Sequence, residues 1–127
     1  MAENVSTKRV TRDVEPAALQ DLVEHPSRAT VALVRSGIPE LLPGRMRFDA
    51  GRYLVAIAAE TDTSLADQEI VLLVDDGPYW FQLRGLSVRG RATRIDPPAD
   101  PGSTRLSWYA IDARRVLAWD YGTVHEE

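Results

Sequence analysis

The chain has 127 residues, a formal net charge of −4, 44% apolar and 27% charged residues, and no cysteine. That length makes one domain, able to bury roughly two-thirds of its unfolded surface, and the acidic balance argues against nucleic acid as a partner. Disulfides, thiol catalysis and thiolate metal sites are excluded, and with no run of 18 apolar residues and no signal-like start the expected setting is cytoplasmic, away from membranes.

Residues 1–13 are polar and charged without a period and read as a flexible arm ahead of a single domain over 14–127. Glu15-Pro16 opens a short helix, with proline suited to the first helical position. Leu19, Leu22 and Val23 form its apolar stripe, and His25-Pro26 stops it. Thr30 to Val34 is a β-branched apolar run, the first strand. After a turn at 36–40, Leu42, Met46 and Phe48 share one face of a second strand, with Arg45 and Arg47 on the other. Asp49-Ala50-Gly51 is a tight turn. In the third strand, Tyr53, Val55 and Ile57 stand opposite Leu54, Ala56 and Ala58.

Residues 59–68 form a polar, acidic connection too short for more than a helical turn or two. Ile70 to Val74 is a continuous apolar run, the pattern of a strand covered on both faces. Asp75-Asp76-Gly77-Pro78 breaks it. In the next strand Leu86, Val88, Gly90 and Ala92 fall on one face, and Ser87, Arg89, Arg91 and Thr93 on the other. Leu83 is out of phase with that inner set, which predicts a β-bulge at Gly85. Asp96 to Ser103 is a proline-rich loop. Arg105 to Ile111 and Val116 to Tyr121 read as two closing strands joined through Asp112-Ala113-Arg114-Arg115. Many short strands, one helix and no βαβ rhythm predict an antiparallel barrel.

Catalytic patterns are sparse. His25 and His125 lie at a helix end and a chain end, without metal-ligand spacing. The glycines at 85 and 90 followed by Arg91 lack the lysine, hydroxyl and helix of a phosphate loop. No serine sits in a nucleophile elbow, and Asp75-Asp76 beside Gly-Pro is turn chemistry. What the pattern offers is arginine and aromatic side chains: Arg45, Arg47, Arg89 and Arg91 to bracket a polyanion, and Trp80, Trp119 and Tyr121 to pack against a flat ring. The plain alternative is that the arginines are solvated and the aromatics close the core.

Three stretches carry a family resemblance: Arg28-Ala-Thr-Val-Ala-Leu-Val34; Ile70-Val-Leu-Leu-Val-Asp-Asp-Gly77 through Leu86-Ser-Val-Arg-Gly-Arg-Ala92; and Arg115-Val-Leu-Ala-Trp-Asp-Tyr121. Over residues 16–122 the chain resembles the flavin-binding split-barrel family named for pyridoxamine 5′-phosphate oxidase. The resemblance implies a mainly β fold, a six-stranded antiparallel Greek-key split barrel with a short N-terminal helix. It also implies a homodimer with FMN, or the deazaflavin F420, in a groove at the subunit interface, and oxidoreductase chemistry. In that family the connection between the third and fourth strands carries a basic residue for the cofactor phosphate. Here it carries Glu60, Asp62 and Asp67 and no lysine or arginine, and a carboxylate near a phosphate dianion is repulsive by about 1 kcal/mol or more. Any phosphate clamp therefore falls to the barrel arginines, above all Arg47 and Arg89, with the ring near Trp80 or a partner's Trp119. The competing reading is a divergent barrel dimer without flavin, acting through another small ligand or a protein partner.

Overall fold

In the computed structural model, which describes residues 13–26, 28–60, 63–77, 79, 82–99 and 105–121, two hairpins open the sheet. Strands β2 (Arg28–Arg35), β3 (Ile38–Asp49) and β4 (Arg52–Ala58) follow one another with two-residue turns. Ser36 and Gly37 have φ of 52° and 78°, and Ala50 and Gly51 repeat those values. Positive φ at both central residues is what the type I′ hairpin turn requires, and its twist matches that of the flanking strands. Strands β5 (Glu69–Asp76), β6 (Arg84–Ile95) and β7 (Leu106–Asp120) complete the ring. The order is β7-β4-β3-β2-β5-β6, and a β6–β7 pairing closes it, all antiparallel. A two-residue strand β1 (Asp13–Val14) pairs outside the ring with Trp119 and Ala118. The architecture is thus the expected mainly β closed barrel of six strands, with one extra strand. Asp13, assigned from sequence to the arm, is part of that extra strand; residues 1–12 lie outside the described residues.

Period-two alternation fixes the inner face. Leu86, Val88 and Ala92 are fully buried, as are Val31, Ile70, Leu72 and Val74, while Arg89 and Arg91 point out. The N-terminal segment is a short 3₁₀ turn, Pro16–Leu19, leading into α1 (Gln20–Glu24). Its stripe of Leu19, Leu22 and Val23 is buried against the same core, so the helix plugs one end of the barrel. Val55 and Ile57 belong to this core too, with Tyr53 packed against it. On the outer face of β4, Leu54 and Ala56 form a second, smaller cluster with Trp108.

Two expectations are corrected. The last 15 residues of regular structure are one strand, not two closing strands, because the polar run 112–115 continues through a bulge. That bulge is not at Gly85. The β6–β7 register runs Arg89↔Arg115 and then Gly90↔Ala113, which leaves Arg114 as the extra residue on β7. Gly85 has a different role: a Cβ there would stand 2.5 Å from Cζ2 of Trp119 and 3.1 Å from Cβ of Asp75. The indole lies against bare backbone. At Gly90 a Cβ would run into the Asp112 carbonyl oxygen, so the bulge and the glycine require each other.

The connection at 59–68 contains no helix among its described residues. It is stitched to β6 by hydrogen bonds from the Asp67 amide to the Ala92 carbonyl (2.8 Å) and from the Ala92 amide to the Gln68 carbonyl (2.9 Å). The Leu65 amide donates to the hydroxyl of buried Tyr109 (3.3 Å).

The Gly90 contact sets a stability test. Gly90→Ala must push β6 from β7 at the bulge and is expected to cost roughly 1–3 kcal/mol, read as a lower urea midpoint. An unchanged midpoint would mean that the seam closes equally well around a side chain.

Candidate functional site

Arginine is the main polar resource of this surface, and most of it is already engaged. Arg28 donates through Nε to Asp75 Oδ1 (2.9 Å) and through Nη2 to the Gly77 carbonyl (3.4 Å). The hydrogen bond to Asp75 holds its guanidinium above the ordinary pKa. Arg35 forks onto Glu40 at 3.0–3.1 Å. Arg84 grips two carboxylates, Asp76 at 2.9 and 3.0 Å and Asp21 at 2.7 and 3.2 Å. Those bonds, Asp76 first, raise the Arg84 pKa further, and the Arg84 hydrogen bond holds the Asp21 carboxyl below its ordinary value. The Arg84 network ties α1 to the β5–β6 end of the barrel. Burial pushes the Tyr53 hydroxyl up, with no basic partner to reverse it.

The sequence-derived candidates fall on this map as follows. Arg89 donates to Glu69 Oε2 (3.2 Å), and Arg91 to the Asp67 carbonyl (3.0 Å). Arg47 is half-buried across from Leu54 and is engaged as well. Trp119 packs over Gly85, and the Tyr121 amide donates to the Leu83 carbonyl (2.8 Å). Trp80 lies outside the described residues. Arg45 and Arg47 sit on β3, Arg89 and Arg91 on β6, and these strands occupy opposite walls of the ring. All four side chains alternate with core residues and face outward, so one chain does not bring the two pairs together around a single ligand. Trp119 stands at the far end of β7 from the part that borders β4.

Arg45, Arg52, Arg105 and Arg115 have no carboxylate partner among the described residues. Arg52 lies at a hairpin tip and Arg105 at the start of β7; the other two line hollows. Arg45 lies between a hollow of about 340 Å³, bounded by Pro26, Arg28, Ala29, Gly44 and Met46, and one of about 260 Å³. The second is floored by Pro43, Ala56, Ile57, Ala58 and Leu106. Neither is lined by a carboxylate. Beside that floor, Trp108 is Ala56's cross-strand neighbour and is 97% buried, with its indole N–H lacking an acceptor. A buried donor left unpaired costs about 1–3 kcal/mol, so it is a donor in want of a partner. Sequence reading missed Trp108 because a lone tryptophan in a strand looks like core, and missed Arg115 because it fell in a segment read as a loop. Among the described residues no group of acidic or histidine side chains is placed to hold a metal, and no helix is long and apolar enough to cross a membrane.

No family model matches the chain, and no curated protein sequence matches it. Solved structures do. An FAD-binding protein from Mycobacterium smegmatis superposes with a TM-score of 0.68 at 14% identity, over 86% of this chain and 96% of its own. A conserved hypothetical protein from Mycobacterium tuberculosis gives 0.73 at 20% identity, over 94% and 92%. A protein from Corynebacterium glutamicum, provisionally described as a pyridoxamine 5′-phosphate oxidase, gives 0.63 at 13% identity, over 89% and 94%. At such identities the likeness is one of fold: the chain has the split-barrel architecture of these proteins.

Proposed function

We propose that this chain is a flavin-nucleotide-binding split barrel that works as a homodimer. In this reading Arg45 takes the anionic tail, and the apolar floor of Ala56, Ala58 and Leu106 takes the ring. The observation that carries the reading is Arg45 itself, a guanidinium without a counter-ion among the described residues that, with Gly44, lines two neighbouring hollows. Its planar fork can hold two phosphate oxygens at once. The chemistry of the lining fits the group: Arg45 as the cation without a carboxylate partner, Arg28 already paired with Asp75, no carboxylate in the lining and an apolar floor. The acidic connection at 59–68 offers no basic side chain, and Arg47 and Arg89 are engaged elsewhere, so the clamp moves from the pair expected from sequence to Arg45. FMN, FAD and F420 all carry a phosphate beside a flat ring and all suit this arrangement. When bound, the flavin supplies hydride or electron transfer, and the chain's part is to bind, orient and exclude water.

The homodimer rests on an apolar hairpin rather than on β4. Val55 and Ile57 are in the chain's own core and need no partner. Three of the five large exposed apolar residues among the described residues lie on the β2–β3 hairpin: Val34, Ile38 and Leu41, the last 73% exposed; Tyr79 and Leu117 lie elsewhere. Leu41 and Arg45 alternate onto the same outer face of β3, so a second copy seated on this hairpin would wall the Arg45 groove. A stable interface covers about 800 Å² per partner. Sedimentation equilibrium at micromolar concentration is expected to give a dimer of 14.1 kDa chains, and Leu41→Glu to shift it toward monomer. A wild type that stays at 14.1 kDa would contradict the shared groove.

Cofactor binding is tested by titrating FMN, FAD and F420 into wild type, Arg45→Ala and Arg52→Ala and following the visible spectrum. A charge-assisted hydrogen bond is worth about 1.5–3 kcal/mol, so Arg45→Ala should weaken binding about tenfold to a hundredfold. Arg52→Ala, at a hairpin tip that lines neither hollow, should leave it unchanged. Equal affinity in Arg45→Ala and wild type would refute the clamp, and no binding of any of the three by wild type would refute the function.

A further inference from the structure

The second unpaired arginine that lines a hollow marks another site. Arg115 on β7 lies directly across from Arg89 on β6, and both face outward. Like charges directly opposed across an antiparallel pair destabilise a sheet. Here the opposition is deepened by the bulge, which adds Arg114 next to Arg115. One carboxylate serves this group: Glu69 meets Arg89 at 3.2 Å through Oε2 and Arg114 at 3.4 Å through Oε1. Arg115 has no hydrogen bond or ion pair among the described residues. Two guanidinium groups thus share one carboxylate, and the third, Arg115, has none among the described residues.

The excess positive charge faces a hollow of about 230 Å³ lined by Val71, Ser87, Arg89, Arg115 and Leu117, with no acidic side chain. Leu117 is 47% exposed and lines this hollow. Val71 and Arg89 also line a second hollow of about 340 Å³, which continues across the β2–β5 face over Ala32, Val34 and Pro39 and is lined as well by Gln68 and by Glu69, the carboxylate already paired with Arg89. The surface therefore combines two opposed guanidinium forks, a hydroxyl from Ser87 and an apolar channel leading away from them.

We propose that Arg89 and Arg115 form a binding site for a small oxyanion carried on an apolar body, a phosphate monoester or a carboxylate. The head bridges the two guanidinium groups and removes their repulsion. The apolar body runs over Val71 toward Ala32 and Pro39. This site is on the wall opposite Arg45 and does not depend on flavin binding.

Phenyl phosphate, benzoate, inorganic phosphate and neutral benzyl alcohol serve as probes, titrated calorimetrically into the full chain at low ionic strength. The expected order is phenyl phosphate or benzoate tighter than inorganic phosphate, with benzyl alcohol not binding. Arg115→Gln is expected to lower affinity for the aromatic anions at least tenfold, and Arg45→Ala to leave it unchanged. In anion-free, low-salt buffer Arg115→Gln should also melt above wild type, because it removes the opposed charge. Equal anion affinity in wild type and Arg115→Gln would overturn the site. Loss of anion binding in Arg45→Ala would overturn it as well, by placing the anion in the other groove, and so would an absence of binding by wild type.

Discussion

The structure depends on the closure of β6 onto β7. The paired register runs from Arg84↔Asp120 to Ile95↔Trp108, and without it the sheet would be an open ribbon with two exposed edges. Two glycines make the closure. Gly85 lets the Trp119 indole lie against the β6 backbone, and Gly90 admits the Asp112 carbonyl at the bulge. The bulge does more than relieve geometry. It bends one long strand so that its first half pairs with β4 and its last residues pair with β1, and it puts Arg114 and Arg115 on the outer surface beside Arg89.

The other organising feature is how an acidic protein spends its carboxylates. Asp21, Asp75, Asp76, Glu40 and Glu69 are each set against an arginine. Exposed pairs of this kind are worth little singly, but together they occupy five arginines, Arg28, Arg35, Arg84, Arg89 and Arg114. What remains uncancelled is therefore informative. Arg45 and Arg115 stand where the surface is concave and apolar, and those are the places where an anion gains both a guanidinium fork and shelter from water. The two arginines lie on opposite walls, although the channel leading from Arg115 reaches Val34, on the hairpin of the proposed subunit contact.

Much of the fold was legible because strand alternation is a local signal. The phase of Leu86, Val88, Gly90 and Ala92, the stripe of Leu19, Leu22 and Val23, and the turn at Gly51 all read directly onto the barrel, while the turn expected over 36–40 is confined to Ser36 and Gly37, with β3 starting at Ile38. The errors came from contacts distant in sequence. Gly85 looked like a phase slip because the residue that needs its missing side chain, Trp119, belongs to another strand. The run 112–115 looked like a loop because its polar residues hide a strand that continues through a bulge. The candidate site was the least legible part. Arg45, Arg47, Arg89 and Arg91 are alike in sequence, and only the strand order shows that two face one wall and two the other. Nothing local distinguishes an arginine with a carboxylate neighbour from one without.

The central claim is that an unpaired arginine beside an apolar floor holds the phosphate of a flavin nucleotide. Comparing FMN with riboflavin in the wild-type chain tests it most directly, since the two share the ring and differ in the phosphate. The account predicts that FMN binds at least tenfold more tightly, with the difference shrinking as salt is raised. Equal affinities that do not respond to salt would contradict it.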